Sequence, residues 1–296
     1  MGNILTKQFY RQRKDFEDSC AGRDAGLTFP EGVRCSTDIA YADDGIKAHL
    51  LDIYRPEDSQ EKILPVIINV HGGGLIIGNK EFNRYFCALL CKKGFLVYSI
   101  EYRLIPDCLI YDQIADVFMA MDYIKERLAA DGGDSSHVYM AGDSGGACLI
   151  TYANAIQNST NIARAANVTP SGLRINALGL ISGMFYTSRF DKIGLFLPKY
   201  LYGRDYKKTS FAKYVNPENR DLLNSLAPVC LVTSHNDFLR RYTTDFEKAL
   251  TRAEREHELV VFPKNKKLTH AFSVFEPFLS ESSAVIDMMV EYLRKF

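Results

Sequence analysis

The chain has 296 residues, with 36 Lys plus Arg against 36 Asp plus Glu, so its formal net charge is zero. At 47% hydrophobic and 24% charged it can bury a sizeable core, which excludes a disordered, collagenous or coiled-coil chain. The charge balance argues against a nucleic-acid partner, and no apolar run approaches the roughly 20 residues of a membrane-spanning helix, so stable membrane insertion is not expected.

The first 15 residues contain only one apolar pair, Ile4-Leu5, which is too little for a secretory signal. Met1-Gly2-Asn3-Ile4-Leu5-Thr6 fits the short myristoylation pattern. A charged helix anchored by Phe9 and Phe16 is expected next. Residues 33–42 and 46–54 read as two strands joined by a hairpin turn at Asp43-Asp44-Gly45. Residues 64–70 and 95–100 are short apolar runs typical of buried strands. Residues 112–128 carry Ile114, Val117, Phe118, Met121, Ile124 and Leu128 at helical spacing. Further strands are expected at 137–141, 176–182, 229–234 and 258–262. The last helix places Val285, Met288, Met289, Tyr292, Leu293 and Phe296 on one face, with Ser280 as its N-cap. Strands alternating with helices predict a mostly parallel sheet covered by helices, an α/β fold.

One segment breaks this rhythm. About 45 residues without strand character separate the strands at 176–182 and 229–234. Within 184–214 lie nine aromatics: Phe185, Tyr186, Phe190, Phe196, Tyr200, Tyr202, Tyr206, Phe211 and Tyr214. They read either as a lid over a pocket or as rings that fix the insertion to the core. No exposed apolar run of the kind an interfacial lipase would use stands out in the sequence. The seven cysteines are odd in number and irregularly spaced, which fits reduced thiols in a cytoplasmic protein.

Two glycine motifs carry chemistry. Gly142-Asp143-Ser144-Gly145-Gly146 follows a predicted strand and opens a helical pattern. In that setting a tight turn holds a serine in strained backbone geometry and exposes its hydroxyl. The competing reading of Ser144 is an ordinary helix N-cap. His71-Gly72-Gly73-Gly74 ends the strand at 64–70. Chance would produce roughly 0.002 such tetrapeptides in a chain of this length. Glycines there let backbone N–H groups approach a substrate and meet the charge that develops on an acyl oxygen; the expected donors are the amides of Gly73, Gly74 and Gly145. A serine nucleophile needs a base, and the base needs an orienting carboxylate. Three histidines follow Ser144: His235, His257 and His270. His270 lies in a loop between the last strand and the last helix, where the base belongs. Asp237 lies just past the strand at 229–234, where the acid belongs. His235 is the weaker candidate for the base.

With these residues in place the chain resembles the hormone-sensitive-lipase family of α/β-hydrolase serine esterases. The matching stretches are Leu51-Asp52-Ile53-Tyr54-Arg55-Pro56, His71–Gly74, Glu101-Tyr102-Arg103-Leu104-Ile105-Pro106-Asp107, Gly142–Gly146, Asp237-Phe238-Leu239-Arg240 and His270-Ala271-Phe272, and they cover roughly residues 33–296. The resemblance implies Ser144 as nucleophile, Asp237 as acid, His270 as base and Gly73, Gly74 and Gly145 as the oxyanion hole. It also implies an N-terminal helical segment that helps to form a cap. Three positions depart from the family pattern: Gly145 stands where Ala is usual, Ile105-Pro106-Asp107 replaces Ala-Pro-Glu, and Phe238 replaces Pro after the acid.

The expected protein is therefore a single α/β-hydrolase domain over 1–296, with cap elements at 1–32 and 184–215. Its expected activity is hydrolysis of short-chain carboxylic esters through an acyl-enzyme on Ser144, with a small-molecule ester as partner and no cofactor or metal. Another acyl hydrolase activity on the same residues (formamidase, amidase or lactonase) remains the alternative, followed by a non-catalytic small-molecule receptor. A homodimer is left open.

Overall fold

The computed structural model describes residues 2–59 and 62–296. Met1, with which the myristoylation pattern opens, lies outside the described residues. Strands β1 (Val33–Ala40), β2 (Leu50–Pro56), β3 (Leu64–Val70), β4 (Leu96–Ile100), β5 (Gly133–Asp143), β6 (Ala177–Ile181), β7 (Val229–Ser234) and β8 (His257–Phe262) form one sheet in the order β1-β2-β4-β3-β5-β6-β7-β8. The β1–β2 and β2–β4 pairs are antiparallel and all later pairs are parallel. The helices are α1 (Gly2–Asp24), α2 (Arg84–Lys92), α3 (Ile110–Arg127), α4 (Ser144–Asn158), α5 (Thr160–Ala166), α6 (Lys192–Phe196), α7 (Pro198–Leu201), α8 (Arg220–Asn224), α9 (Arg240–Arg252), α10 (Phe272–Phe275) and α11 (Ser280–Leu293).

The two-residue period of the strands divides the core. Val66, Ile68 and Val70 face a cluster built with α3, α4 and α9. Ile67 faces the opposite cluster, built with α2 and α11. The same alternation runs through Leu96/Val97 and Met140/Ala141, so the central strands are apolar on both sides because both sides are covered. In parallel strands the loops that follow their C-terminal ends gather at one edge, and every predicted site residue lies on such a connection.

Two local expectations need correction. The β1–β2 reversal is wider than a tight hairpin, with residues 41–49 joining the strands and β2 beginning at Leu50. Asp44 organises it: its carboxylate accepts from the Ile46 amide at 2.9 Å and meets His49 Nδ1 at 2.6 Å. An aspartate that bonds the backbone two residues on favours such an open turn. At the start of α11, Leu279 holds the N-cap position in extended backbone geometry, while Ser280 is the first helical residue and its hydroxyl turns to Glu281 at 2.8 Å.

Ile68 is fully buried between the sheet and its helices. Ile68→Ala leaves a void that rigid neighbours cannot close, and should cost about 2–5 kcal/mol. Urea unfolding of the two proteins measures it; a loss below about 1 kcal/mol would mean the core collapses around the gap.

Candidate active site

At the end of β5 the chain turns sharply into α4, and Ser144 at that corner has φ +48°, in the left-handed region. Non-glycine residues are strained there and are held only by their surroundings. The surroundings are tight: a β-carbon on Gly146 would lie 2.1 Å from the Val70 carbonyl oxygen. The backbone of the Ser144 turn therefore presses directly on the end of β3, where the His71–Gly74 loop begins.

That loop folds back at once. Gly73 has φ +106°, and a β-carbon there would lie 2.0 Å from the Ile77 carbonyl oxygen. The Gly73 carbonyl accepts from the amides of Ile76 and Ile77 at 3.1 and 3.0 Å, and the Leu75 carbonyl accepts from Gln113 Nε2 at 3.0 Å. Gly145 sits against the same loop. A β-carbon on it would lie 2.9 Å from the Gly74 amide nitrogen and 2.8 Å from that of Leu75. At position 145, where the family usually has alanine, the two turns of this chain thus leave no room for a β-carbon.

The structure brings Ser144, His270 and Asp237 together. Ser144 Oγ lies 2.9 Å from His270 Nε2, and His270 Nδ1 lies 2.7 Å from Asp237 Oδ1. The Leu239 amide donates to Asp237 Oδ1 at 2.8 Å and Thr233 Oγ1 donates to Oδ2 at 2.9 Å. Burial opposes the charge on Asp237, but His270, the Ser182 hydroxyl and the Leu239 amide hold its carboxyl below the ordinary carboxylate range. The His270 loop is pinned on both sides, by Ser234 Oγ to the Leu268 carbonyl at 2.5 Å and by the Ala271 amide to Ser182 Oγ at 3.1 Å. His235 lies elsewhere: it is exposed, with Arg240 Nη1 2.7 Å from its Nδ1. Cys148, one helical turn beyond Ser144, is buried, and burial pushes its thiol up to about 12, which keeps it from acting as a rival nucleophile.

Sequence reasoning left the support of the glycine loop unassigned. His71 is fully buried beneath it, with Nε2 2.9 Å from Glu101 Oε1, Nδ1 2.8 Å from the Gly72 carbonyl, and its ring stacked on Tyr102 at 4.3 Å. Both ring nitrogens face acceptors, an arrangement that the doubly protonated imidazolium satisfies. Burial works against that charge, yet Glu101 raises the His71 pKa above its ordinary value. Glu101 also accepts from the Lys80 amide at 2.9 Å, so it ties together both ends of the 71–80 loop. Glu101 was visible within the Glu101–Asp107 stretch, but the pattern did not say what its carboxylate holds. From the outside, Arg13 of α1 donates to the carbonyls of Ile76 at 2.7 Å, Leu104 at 2.9 Å and Ile105 at 2.6 Å, and pairs with Asp107 at 2.7 Å.

A cleft of about 410 Å³ opens at Ser144. Gly73, Gly74, Ser144 and His270 line its polar end, and Phe16, Ile76, Phe82, Met184, Phe196, Phe238 and Phe275 line much of the remainder. Of the nine aromatics in 184–214, only Phe196 lines this cleft. The others mostly fix the segment to the core: Phe185 stacks on Phe246 at 4.2 Å, Tyr202 and Phe211 pack on Tyr152, and Tyr200 meets Phe9 of α1 at 5.2 Å. Two hollows of similar size are walled by charged side chains, with Arg34, Arg55 and Arg127 at one and Asp38, Asp52, Lys80 and Glu81 at the other.

Comparison with known proteins agrees with this architecture. A family model described as the alpha/beta hydrolase fold matches residues 67–273. The chain belongs to that fold family, in its hormone-sensitive-lipase-like branch. It is 29% identical over 184 residues to a probable isoprenylcysteine alpha-carbonyl methylesterase of Oryza sativa subsp. japonica, covering 58% of this chain and 44% of the relative. It is 33% identical over 120 residues to esterase LipQ of Mycobacterium tuberculosis, covering 40% of this chain and 28% of that one. The chain thus spans less than half the length of these relatives. Esterase B of Lactobacillus rhamnosis, also solved with a C4-C4 tributyrin phosphonate, superposes with a TM-score of 0.92 at 22% identity, over 99% of this chain and 95% of that chain. At that identity the likeness is one of fold.

The His71–Glu101 pair predicts a pH dependence of stability. Unfolded histidine titrates near 6.5. A raised folded value means that the pair's stabilisation is complete below about 6.5 and is lost as pH rises through the folded value. The wild-type melting temperature should fall across that step, and Glu101→Gln should be less stable below it and lack it. A difference between the two proteins that does not change with pH would contradict the assignment.

Proposed function

We propose that the protein is a carboxylic ester hydrolase that works through an acyl-enzyme on Ser144. The observation that carries this reading is the unbroken chain of contacts from Ser144 Oγ through His270 to Asp237 at the polar end of an apolar cleft. Ser144 Oγ attacks the ester carbonyl while His270 Nε2 takes its proton. The negative charge moves to the carbonyl oxygen, where the amides of Gly73, Gly74 and Gly145 receive it. One such donor is worth about 10²–10³ in turnover. His270 then returns the proton to the departing alcohol, and water repeats the cycle on the acyl group. Asp237 stays ionised, fixes the imidazole with its Nδ1 proton inward and stabilises the imidazolium.

The cleft volume lies at the lower end of the roughly 300–1,000 Å³ usual for small-molecule sites, and Phe16, Phe82 and Phe275 give it stiff walls. Each methylene that fits contributes about 0.8 kcal/mol, while forcing packed rings apart costs about 1–3 kcal/mol. The reading is therefore of short acyl groups, about two to six carbons on that balance. The esterase names of the relatives support ester hydrolysis, and the C4-C4 tributyrin phosphonate solved with esterase B supports the short-acyl reading. We further infer that residues 1–32 and 184–215 act as the cap of a single domain and that the enzyme works in the cytoplasm with its thiols reduced.

Ser144→Ala should abolish labelling by a fluorophosphonate and lower turnover by about 10⁴ or more. His270→Ala should remove nearly all activity on p-nitrophenyl butyrate, whereas His235→Ala should retain most of it. The reverse order would transfer the base to His235. Sustained activity on decanoyl and longer esters would overturn the short-acyl assignment.

A further inference from the structure

Three aromatic rings stand at the mouth of the cleft with much of their surface in water. Phe238 is 72% exposed, Phe196 57% and Phe275 36%, and all three also line the cavity that holds Ser144. They come from three separate connections, so no apolar run in the sequence announces them. Leu195, 56% exposed beside Phe196 on α6, extends the apolar surface outward. Phe238 is not a loose tip: its ring packs 4.4 Å from that of His270. A soluble protein that needed only a small dissolved ester would gain nothing from bare rings around its mouth, and exposed apolar patches of this kind mark contact surfaces.

The charge beside these rings indicates what they meet. On the connections 190–199, 235–239 and 263–278 the exposed ionised side chains are Lys192, Lys199, Lys264, Lys266 and Lys267, against Glu276 alone on the acidic side. Asp237 is buried, and Asp191 caps α6 and accepts from Tyr242 at 2.6 Å. Among the described residues, Lys192, Lys264 and Lys266 make no ion pair. The lysine loop lies close to Phe238, because the Asn265 amide donates to Asn236 Oδ1 at 3.2 Å. These three connections thus carry an excess of cations beside the apolar opening, whereas the α1 flank, where Phe16 lines the cleft, sets exposed Asp15, Glu17 and Asp18 against Arg11 and Lys14. Aromatic rings that enter the acyl boundary and lysines that reach the headgroups are the two elements of interfacial binding.

We propose that this rim docks on an anionic lipid surface, mouth first, and that the enzyme takes amphiphilic esters from it. The short acyl end reaches Ser144 while the apolar remainder of the substrate stays in the lipid. The proposal rests on the esterase reading above and adds the source of the substrate. Its test is flotation of the purified chain with phosphatidylcholine vesicles, with and without phosphatidylserine, alongside hydrolysis of soluble p-nitrophenyl butyrate. The wild type should float with the anionic vesicles and be released by salt. Each lysine near such a surface is worth about fivefold in partitioning. Lys264→Glu/Lys266→Glu should therefore reduce binding by about 25-fold or more, and Leu195→Asp by about tenfold, with butyrate hydrolysis within about twofold of wild type in both. Absence of wild-type binding, equal binding by the variants, or a dimer in gel filtration that these substitutions dissolve would overturn the proposal. Failure of the wild type to hydrolyse butyrate at all would instead overturn the esterase reading.

Discussion

The contact on which the rest of the site depends is between two stretches of backbone. The turn from β5 into α4 lies against the end of β3 so closely that β-carbons at Gly142 and Gly146 would come within 2.6 and 2.1 Å of the same Val70 carbonyl. No L side chain fits at either position without moving one element from the other. Within this close approach Ser144 takes its positive φ and lines the same cleft as Gly73 and Gly74 of the neighbouring loop. Because Gly145 in turn abuts Gly74 and Leu75, the serine and the proposed oxyanion donors behave as one rigid piece. Preorganisation of this kind spares the reaction the cost of reorienting dipoles as charge develops.

Rigid backbone needs a firm base, and here the base is ionic. Beneath the glycine loop lies the His71–Glu101 pair, with His71 stacked on Tyr102, and Glu101 carries on to the Lys80 amide. The Lys80 ammonium is itself buried among Asp38, Asp52 and Glu81, at 2.8, 2.9 and 2.5 Å. Buried ion pairs are a poor source of net stability, but removing one partner leaves an uncompensated charge. That asymmetry suits a scaffold: alternatives to the native arrangement are heavily penalised even where the arrangement itself contributes little.

The legible and illegible parts of the molecule separate along physical lines. Strands buried on both faces announce themselves as short apolar runs, so β3, β4, β6 and β7 were visible within a residue or two, and the half-exposed edge strand β8 was placed as well. Ser144, Asp237 and His270, which the structure brings into contact, could be singled out because a serine nucleophile, its base and its acid are expected at the ends of strands. The wide β1–β2 turn escaped because Asp44 bonds its own neighbours, an effect of side-chain geometry and not of composition. The nine aromatics of 184–214 left two readings open for a different reason. Their number is a property of the segment, but which way each ring points is decided by partners such as Phe246, Tyr152 and Phe9, far away in sequence. The cleft wall itself is assembled from Phe16, Phe82, Phe196, Phe238 and Phe275, one ring from each of five places along the chain. Phe196 stood among the aromatics of the insertion, Phe16 as an anchor of the first helix and Phe238 as the unusual neighbour of Asp237, but nothing local marked Phe82 or Phe275.

The grip of Arg13 on the carbonyls of Ile76, Leu104 and Ile105 has a bearing on traffic through the cleft. Helix α1 contributes Phe16 to the cavity wall, and so looks like a door. Yet the same helix holds Ile76, two residues beyond Gly74, by a guanidinium whose donors are nearly all engaged. Swinging that door would release the loop that carries the proposed oxyanion donors. An open passage on the α1 side and a competent loop therefore exclude one another. Any movement of the cleft wall is left to other segments, such as the five-residue α6, where Lys192, Leu195 and Phe196 are exposed. The α1 flank of the cleft is a fixed jamb.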